Sequence, residues 1–161
     1  MAKLLVGIAM VVFCGFCGYV LSKKYRLRKD FYRQLYSFNR SFLSEISFSR
    51  RPIEAWIEKT RYTGEFDYTV KSFITALKNG DAELSTLSFP DFLTADEKNY
   101  LRDYFFSLGR GDSAGQKGYF TAAEKMLGAQ KDGAEKDATR YGDLYIKMGV
   151  LLGLTILILL I

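Results

Sequence analysis

The chain has 161 residues, 48% of them hydrophobic and 25% charged, with only 2 prolines, a composition that is neither disordered nor fibrous. It contains no histidine, which excludes Ser/His/Asp and Cys/His nucleophilic arrangements and every His-containing metal site. The net charge of +5 is carried by residues 1–29, which hold six basic residues and no acid; residues 30–161 are nearly neutral, which argues against a nucleic-acid-binding domain.

Leu4 to Leu21 reads LLVGIAMVVFCGFCGYVL, without a charge. As a helix it extends about 27 Å, enough to cross a bilayer core. A cleaved secretory signal would need a basic start and a small-x-small cleavage site; only Lys3 precedes the run and Tyr19-Val20-Leu21-Ser22 offers no such site, so the segment is expected to stay on the chain. Cys14 and Cys17 form a C-x-x-C pair, but inside an apolar run that spacing does not point to zinc or thiol redox chemistry.

The opposite end, Met148 to Ile161, is uninterrupted apolar sequence, and extending it back through Leu144, Tyr145 and Ile146 reaches spanning length if Lys147 is included. A lysine within a turn of the segment's start snorkels, its methylenes in lipid and its ammonium at the headgroups. Lys23, Lys24, Arg26, Arg28, Lys29 and Arg33 follow the first span, and Lys136, Arg140 and Lys147 flank the second on the same side. The positive-inside rule therefore predicts a two-pass cell-membrane protein with a cytoplasmic centre and both termini outside. The expected division is a first span at 1–22, a cytoplasmic helical bundle at 23–143 and a second span at 144–161. Tyr19, Tyr25, Tyr141 and Tyr145 would share one interface, and Gly7, Gly15, Gly18, Gly149 and Gly153 offer places for the spans to approach closely.

Between the spans the periodicity is helical throughout. Leu27, Phe31, Leu35, Phe38, Phe42 and Ile46 recur at spacings of four and three, one stripe on a helix that can continue from the first span. Arg50-Arg51-Pro52 interrupts it, and Ile53, Trp56, Ile57 and Thr60 fit a short helix opened by the proline. Phe66, Val70, Phe73, Ile74 and Leu77 mark a third helix closed by Asn79-Gly80-Asp81. Residues 81–93 carry no clear period. Thr94-Ala95-Asp96-Glu97 is a capping box that opens a fourth helix through Tyr100, Leu101, Tyr104, Phe105 and Leu108. Ser113-Ala114-Gly115-Gln116 is a second, weaker box before a last helix whose inner candidates are Tyr119, Phe120, Ala123, Met126, Leu127, Ala134, Ala138 and Tyr141. The fold class expected is all-α, a helical bundle flanked by two transmembrane helices.

No residue is assigned a catalytic, cofactor-binding or metal-ligating role. The glycine-rich stretch Leu108 to Gly118 lacks a glycine-lysine-Ser/Thr ending and follows a helix, so it reads as an interhelical turn. The carboxylate pairs Glu54 with Glu58 and Asp132 with Glu135 read as solvated helix faces. Arg50, Arg51 and Trp56 are candidate partner contacts, with an exposed turn and a core tryptophan as the plainer accounts. Lys23, Lys24, Arg26, Arg28, Lys29 and Lys147 are the membrane-interface cations; those of residues 23–29 set topology and can also grip anionic headgroups of the lipid bilayer.

The whole architecture resembles the bacterial stage III sporulation protein AB family. The resemblance is sharpest in the C-terminal third, where Leu108-Gly109, Asp112 and Gln116 precede a charged, alanine-bearing helix and Lys147-Met148-Gly149, Leu152-Gly153-Leu154 and Ile158-Leu159-Leu160 close the sequence. It implies a non-enzymatic component of the channel complex between mother cell and forespore, on the mother-cell side of the outer forespore membrane. It also implies a domain similar to the cytoplasmic domain of type II secretion and type IV pilus platform proteins. The implied partners are a secretion-type ATPase and other membrane proteins of that complex; from the residues themselves, neither nucleic acid nor a cofactor is expected. A platform protein has two such domains and this chain has one, so a homo-oligomer is expected to supply the rest. The competing expectations are a membrane-bound enzyme using carboxylates and a regulatory anchor for a soluble partner.

Overall fold

The computed structural model describes residues 2–48, 53–81, 83–108, 110 and 113–160. Among them are five helices and no strand: α1 (Ala2–Phe48), α2 (Ile53–Lys59), α3 (Gly64–Lys78), α4 (Ala95–Ser107) and α5 (Ser113–Leu160). The chain is all-α. It forms two compact units, one of residues 1–29 with 132–161 and one of residues 30–131, and α1 and α5 each contribute to both.

The 30–131 unit is built on aromatic rings. The periodic stripe of α1 puts Phe31, Leu35, Phe38 and Phe42 on one face, each at most 5% exposed. Phe38 lies within ring-contact distance of Phe42, Trp56, Tyr62, Phe66, Tyr104 and Phe105, drawn from four helices and the 60–63 link. Phe120, Ala123 and Leu127 complete the core from α5. Aromatic pairs add about 0.5–1.5 kcal/mol each beyond their buried area, so a ring with this many neighbours is a focal point of stability.

A polar cluster crosses this core. The Tyr104 hydroxyl donates to Asn39 Oδ1 at 3.0 Å, and Asn39 Nδ2 donates to the Phe120 carbonyl at 3.1 Å, tying α4, α1 and α5 together. Burial of the Tyr104 hydroxyl raises its pKa well above the usual phenol value, so it stays a donor. At the surface, the Gln34 side chain exchanges two 2.9 Å hydrogen bonds with the backbone of Thr63, fixing the entry to α3 against α1.

The helix ends follow local chemistry. Thr94 and Glu97 form the capping box in full: the Thr94 hydroxyl accepts from the Glu97 N–H, and the Glu97 carboxylate accepts from the Thr94 N–H. The other carboxylate oxygen of Glu97 accepts from the Tyr32 hydroxyl at 2.7 Å. Helix α3 is followed by Asn79, and Gly80 takes the left-handed φ of 68° that glycine permits. The loop from Asp81 to Leu93 buries Leu84, Leu87 and Leu93, and Leu84 adopts a φ of 52° within it. Asp81 organises this loop: its carboxylate accepts from Ser85 Oγ at 2.9 Å and from Thr86 N and Thr86 Oγ1 at 3.0 Å.

Two expectations are corrected. Tyr119 and Met126 are 39% and 45% exposed instead of inward, because the α5 face through Phe120, Ala123 and Leu127 leaves them on its flanks. Ser113 is the first residue of α5 and not the cap that precedes it. Helix α5 runs unbroken through Gly128, Gly133 and Gly142.

In the other unit, α1 and α5 lie antiparallel with their backbones in close contact. A Cβ at Gly153 would fall 2.6 Å from Val11 Cα and one at Gly149 would fall 2.5 Å from the Cys14 carbonyl oxygen. Side chains at Gly7 and Gly18 would collide with Leu157 and with the Tyr145 carbonyl. Partner numbers fall along α5 as they rise along α1, so residues of the two helices meet at a fixed register. The outward faces are apolar: Val12, Phe13 and Phe16 on α1 and Leu151, Leu152 and Ile158 on α5 are all more than half exposed. Both helices contain 18-residue windows of mean hydropathy 1.8, long and apolar enough to cross a membrane. Only 17% and 11% of those windows is buried, whereas the core helix of a soluble protein would be mostly buried.

Candidate functional site

Helix α3 carries a prominent surface feature of the 30–131 unit. Its apolar stripe, Phe66, Val70, Phe73 and Ala76, turns inward, which leaves Tyr68, Lys71 and Thr75 exposed. Tyr68 is 69% exposed, a large aromatic with its ring in solvent. Grooves flank this ridge. One, of about 430 Å³, lies between α2 and α3, lined by the apolar Ile57, Val70 and Ile74 and by Glu58, Asp67 and Lys71. The other, of about 340 Å³, lies between α3 and residues 88–91, lined by Glu65, Tyr68, Thr69, Ser88 and Asp91.

Charges at the first groove are paired. Lys71 Nζ meets Asp67 Oδ2 and Lys78 Nζ meets Glu58 Oε1, each at 2.7 Å. The Asp67 carboxylate raises the Lys71 pKa. In the same groove burial raises the pKa of the Tyr62 phenol, a shift the Thr60 side chain partly opposes. The second groove has a different character. Residues 79–97 contain five carboxylates and no basic residue. Asp81 is engaged in its own loop and Glu97 in the α4 cap, while Glu65 and Asp91 line the groove beside Tyr68. Two carboxylates and an aromatic face suit a cationic side chain.

Of the partner contacts expected from sequence, Trp56 is half-buried, with its ring 5.2 Å from Phe38 and 5.6 Å from Phe42. It forms part of the rim of the core. Arg50 and Arg51 lie outside the described residues. Of the carboxylate pair Glu54 and Glu58, Glu58 is bound to Lys78 and the Glu54 side chain is outside what is described. Among the described residues no group of three or more acids or cysteines could hold a metal ion. Periodicity did not single out Tyr68, because it lies off the apolar stripe; an aromatic on the polar face of an amphipathic helix was the available signal.

The cations expected at the membrane interface fall in the other unit. Lys23, Lys24, Arg26 and Lys147 are exposed, and Arg28 and Lys29 are half-buried. The Arg26 guanidinium sits over the Tyr19 ring at 5.4 Å and that of Arg140 over the Tyr141 ring at 5.5 Å. The Tyr25 ring stacks on those of Tyr141 and Tyr145, at 5.3 and 5.9 Å between centroids. Tyrosines and cations from both helices therefore gather at one end of the helix pair, as an interfacial belt requires.

No curated protein and no solved structure matches the chain. The family model of stage III sporulation protein AB matches residues 3–161. Extending from the first apolar helix to the end of the last, that match establishes that the chain belongs to the stage III sporulation protein AB family, which implies a role in sporulation.

Proposed function

We propose that the protein is a non-enzymatic, two-pass membrane platform of the channel complex between mother cell and forespore. Its 30–131 unit faces the mother-cell cytoplasm and docks a secretion-type ATPase. The observation that carries the reading is the exposed ridge of α3, an aromatic side chain between two grooves, on a unit whose first and last helices also supply the apolar spans. A ridge of this kind suits a protein partner: Tyr68 supplies a rigid anchor of the type that dominates interface energies, and the grooves accept the partner's side chains. Sidedness is supported by the basic residues after the first span and before the second.

The test is co-purification of the ATPase with the full chain from membranes of sporulating cells. Tyr68→Ala together with Thr75→Glu should abolish recovery of the ATPase while leaving the helical circular dichroism spectrum unchanged. Full recovery with that double variant, or no association of the wild-type chain in any nucleotide state, would overturn the docking assignment.

A further inference from the structure

The register of the α1–α5 pair brings together cations that are far apart in sequence. Gly18 packs on Tyr145 and Gly149 on Cys14, so residues 17–28 of α1 lie alongside residues 136–147 of α5. Those two stretches hold seven basic residues and two acids, Asp137 and Asp143. Lys147 lies about level with Cys17, deeper toward the apolar run than Lys23 and Lys24. It is itself exposed, on a surface where Leu144, Met148 and Leu151 are also exposed. Among the described residues none of Lys23, Lys24, Arg26, Arg140 and Lys147 forms an ion pair with a carboxylate, in contrast to Lys71 and Lys78 of the other unit.

An ammonium at the edge of the hydrocarbon is stabilised by an anion within reach, and the group that a bilayer offers at this level is a lipid phosphate. We propose that this end of the helix pair is a binding site for anionic phospholipid, with Lys147 and Arg140 from α5 joining Lys23, Lys24 and Arg26 from α1. The site rests on the two-pass reading given above. Lys147 extends along the helix surface to meet the phosphate from the acyl side. Arg26 and Arg140, resting on Tyr19 and Tyr141, present guanidinium groups at the headgroup level. Asp137 and Asp143 share this end, and with seven cations against two acids the balance favours an anionic headgroup over a zwitterionic one.

The experiment is native mass spectrometry of the full chain released from micelles containing equal amounts of phosphatidylglycerol and phosphatidylcholine. The wild-type chain should retain phosphatidylglycerol in preference. Arg140→Gln with Lys147→Gln should lower that retention by roughly fivefold per charge removed, and leave retention of phosphatidylcholine unchanged. Lys147→Arg should keep it, which separates loss of charge from damage to the fold. Equal retention of both lipids by the wild-type chain, or undiminished preference in the double variant, would overturn the proposal alone. A wild-type chain that stays in solution without detergent would overturn the two-pass reading and this site with it. Neither readout involves the ATPase, so the docking result stands or falls separately.

Discussion

The two units place the same residue types in opposite positions. In the 30–131 unit Phe31, Phe38, Phe66, Phe73, Phe105 and Phe120 are inside and the charges are outside; in the helix pair Phe13 and Phe16 are 63% and 61% exposed, while Gly7, Gly18, Gly149 and Gly153 lie at the contact between the helices. In water, large apolar side chains are driven inward at roughly 25 cal/mol for each Å² covered. With the helix pair in lipid, as proposed, that drive is absent, and helices associate through close contact of small residues. A phenylalanine by itself therefore says nothing about inside and outside; its neighbours at helical spacing do.

The severest challenge to this contrast is Phe38→Ala. It removes a ring that touches six others and should cost about 3–5 kcal/mol, read as a lower denaturant midpoint for the near-UV circular dichroism of the full chain in detergent. Gly149→Leu attacks the other unit, where even a Cβ would press on the Cys14 carbonyl. It should cost about 1–3 kcal/mol and widen the separation between spin labels at positions 10 and 154. Gly133→Ala, at a helical glycine with open space around it, should instead stabilise by about 1 kcal/mol; equal effects at the two glycines would refute the close-contact account.

Thr94→Ala deletes one half of the α4 capping box and should cost about 1 kcal/mol in the same denaturation measurement, without altering the helix pair. The smallest effect is expected from acid. Hydrogen bonds from Thr86 and Ser85 lower the Asp81 pKa from 3.8 to about 2. Because the folded value is depressed, the contribution of these bonds is complete above about pH 4 and fades as the pH falls through about 2. Asp81→Asn should remove that part of the acid dependence, and an unchanged slope of stability against pH across that window would contradict it.

Much of this architecture was legible because local and tertiary demands agree. The α1 stripe of Phe31, Leu35, Phe38 and Phe42, the capping box at Thr94 and the stop at Gly80 each follow from the chemistry of a few neighbouring residues. What escaped depends on partners distant in sequence. Asn39 lies on the buried face of α1 between Leu35 and Phe42, and only Tyr104 and Phe120, 65 and 81 residues away, reveal why a polar side chain belongs there. The 81–93 loop lacked a period because its three buried leucines are held by successive turns, Leu84 on Asp81, Leu87 on Leu84 and Leu93 on Pro90. Tyr119 and Phe120 are adjacent, so a helix cannot turn both fully inward, and composition does not say which one wins. Of the α3 ridge only the inward half was readable, since grooves beside Tyr68 exist only after α2 and the 88–91 loop have packed.

The near contact of the α1 and α5 backbones carries a consequence for transport. With Gly153 against Val11 and Gly149 against Cys14, no room for water is left between the helices at these levels, and the pair encloses no lumen there. In the channel complex proposed above, a solute crossing the membrane beside this pair would have to pass along its outer surface, with other polypeptides or further copies forming the opposite wall. The chain would then serve as a stave of such a barrel and never as the barrel.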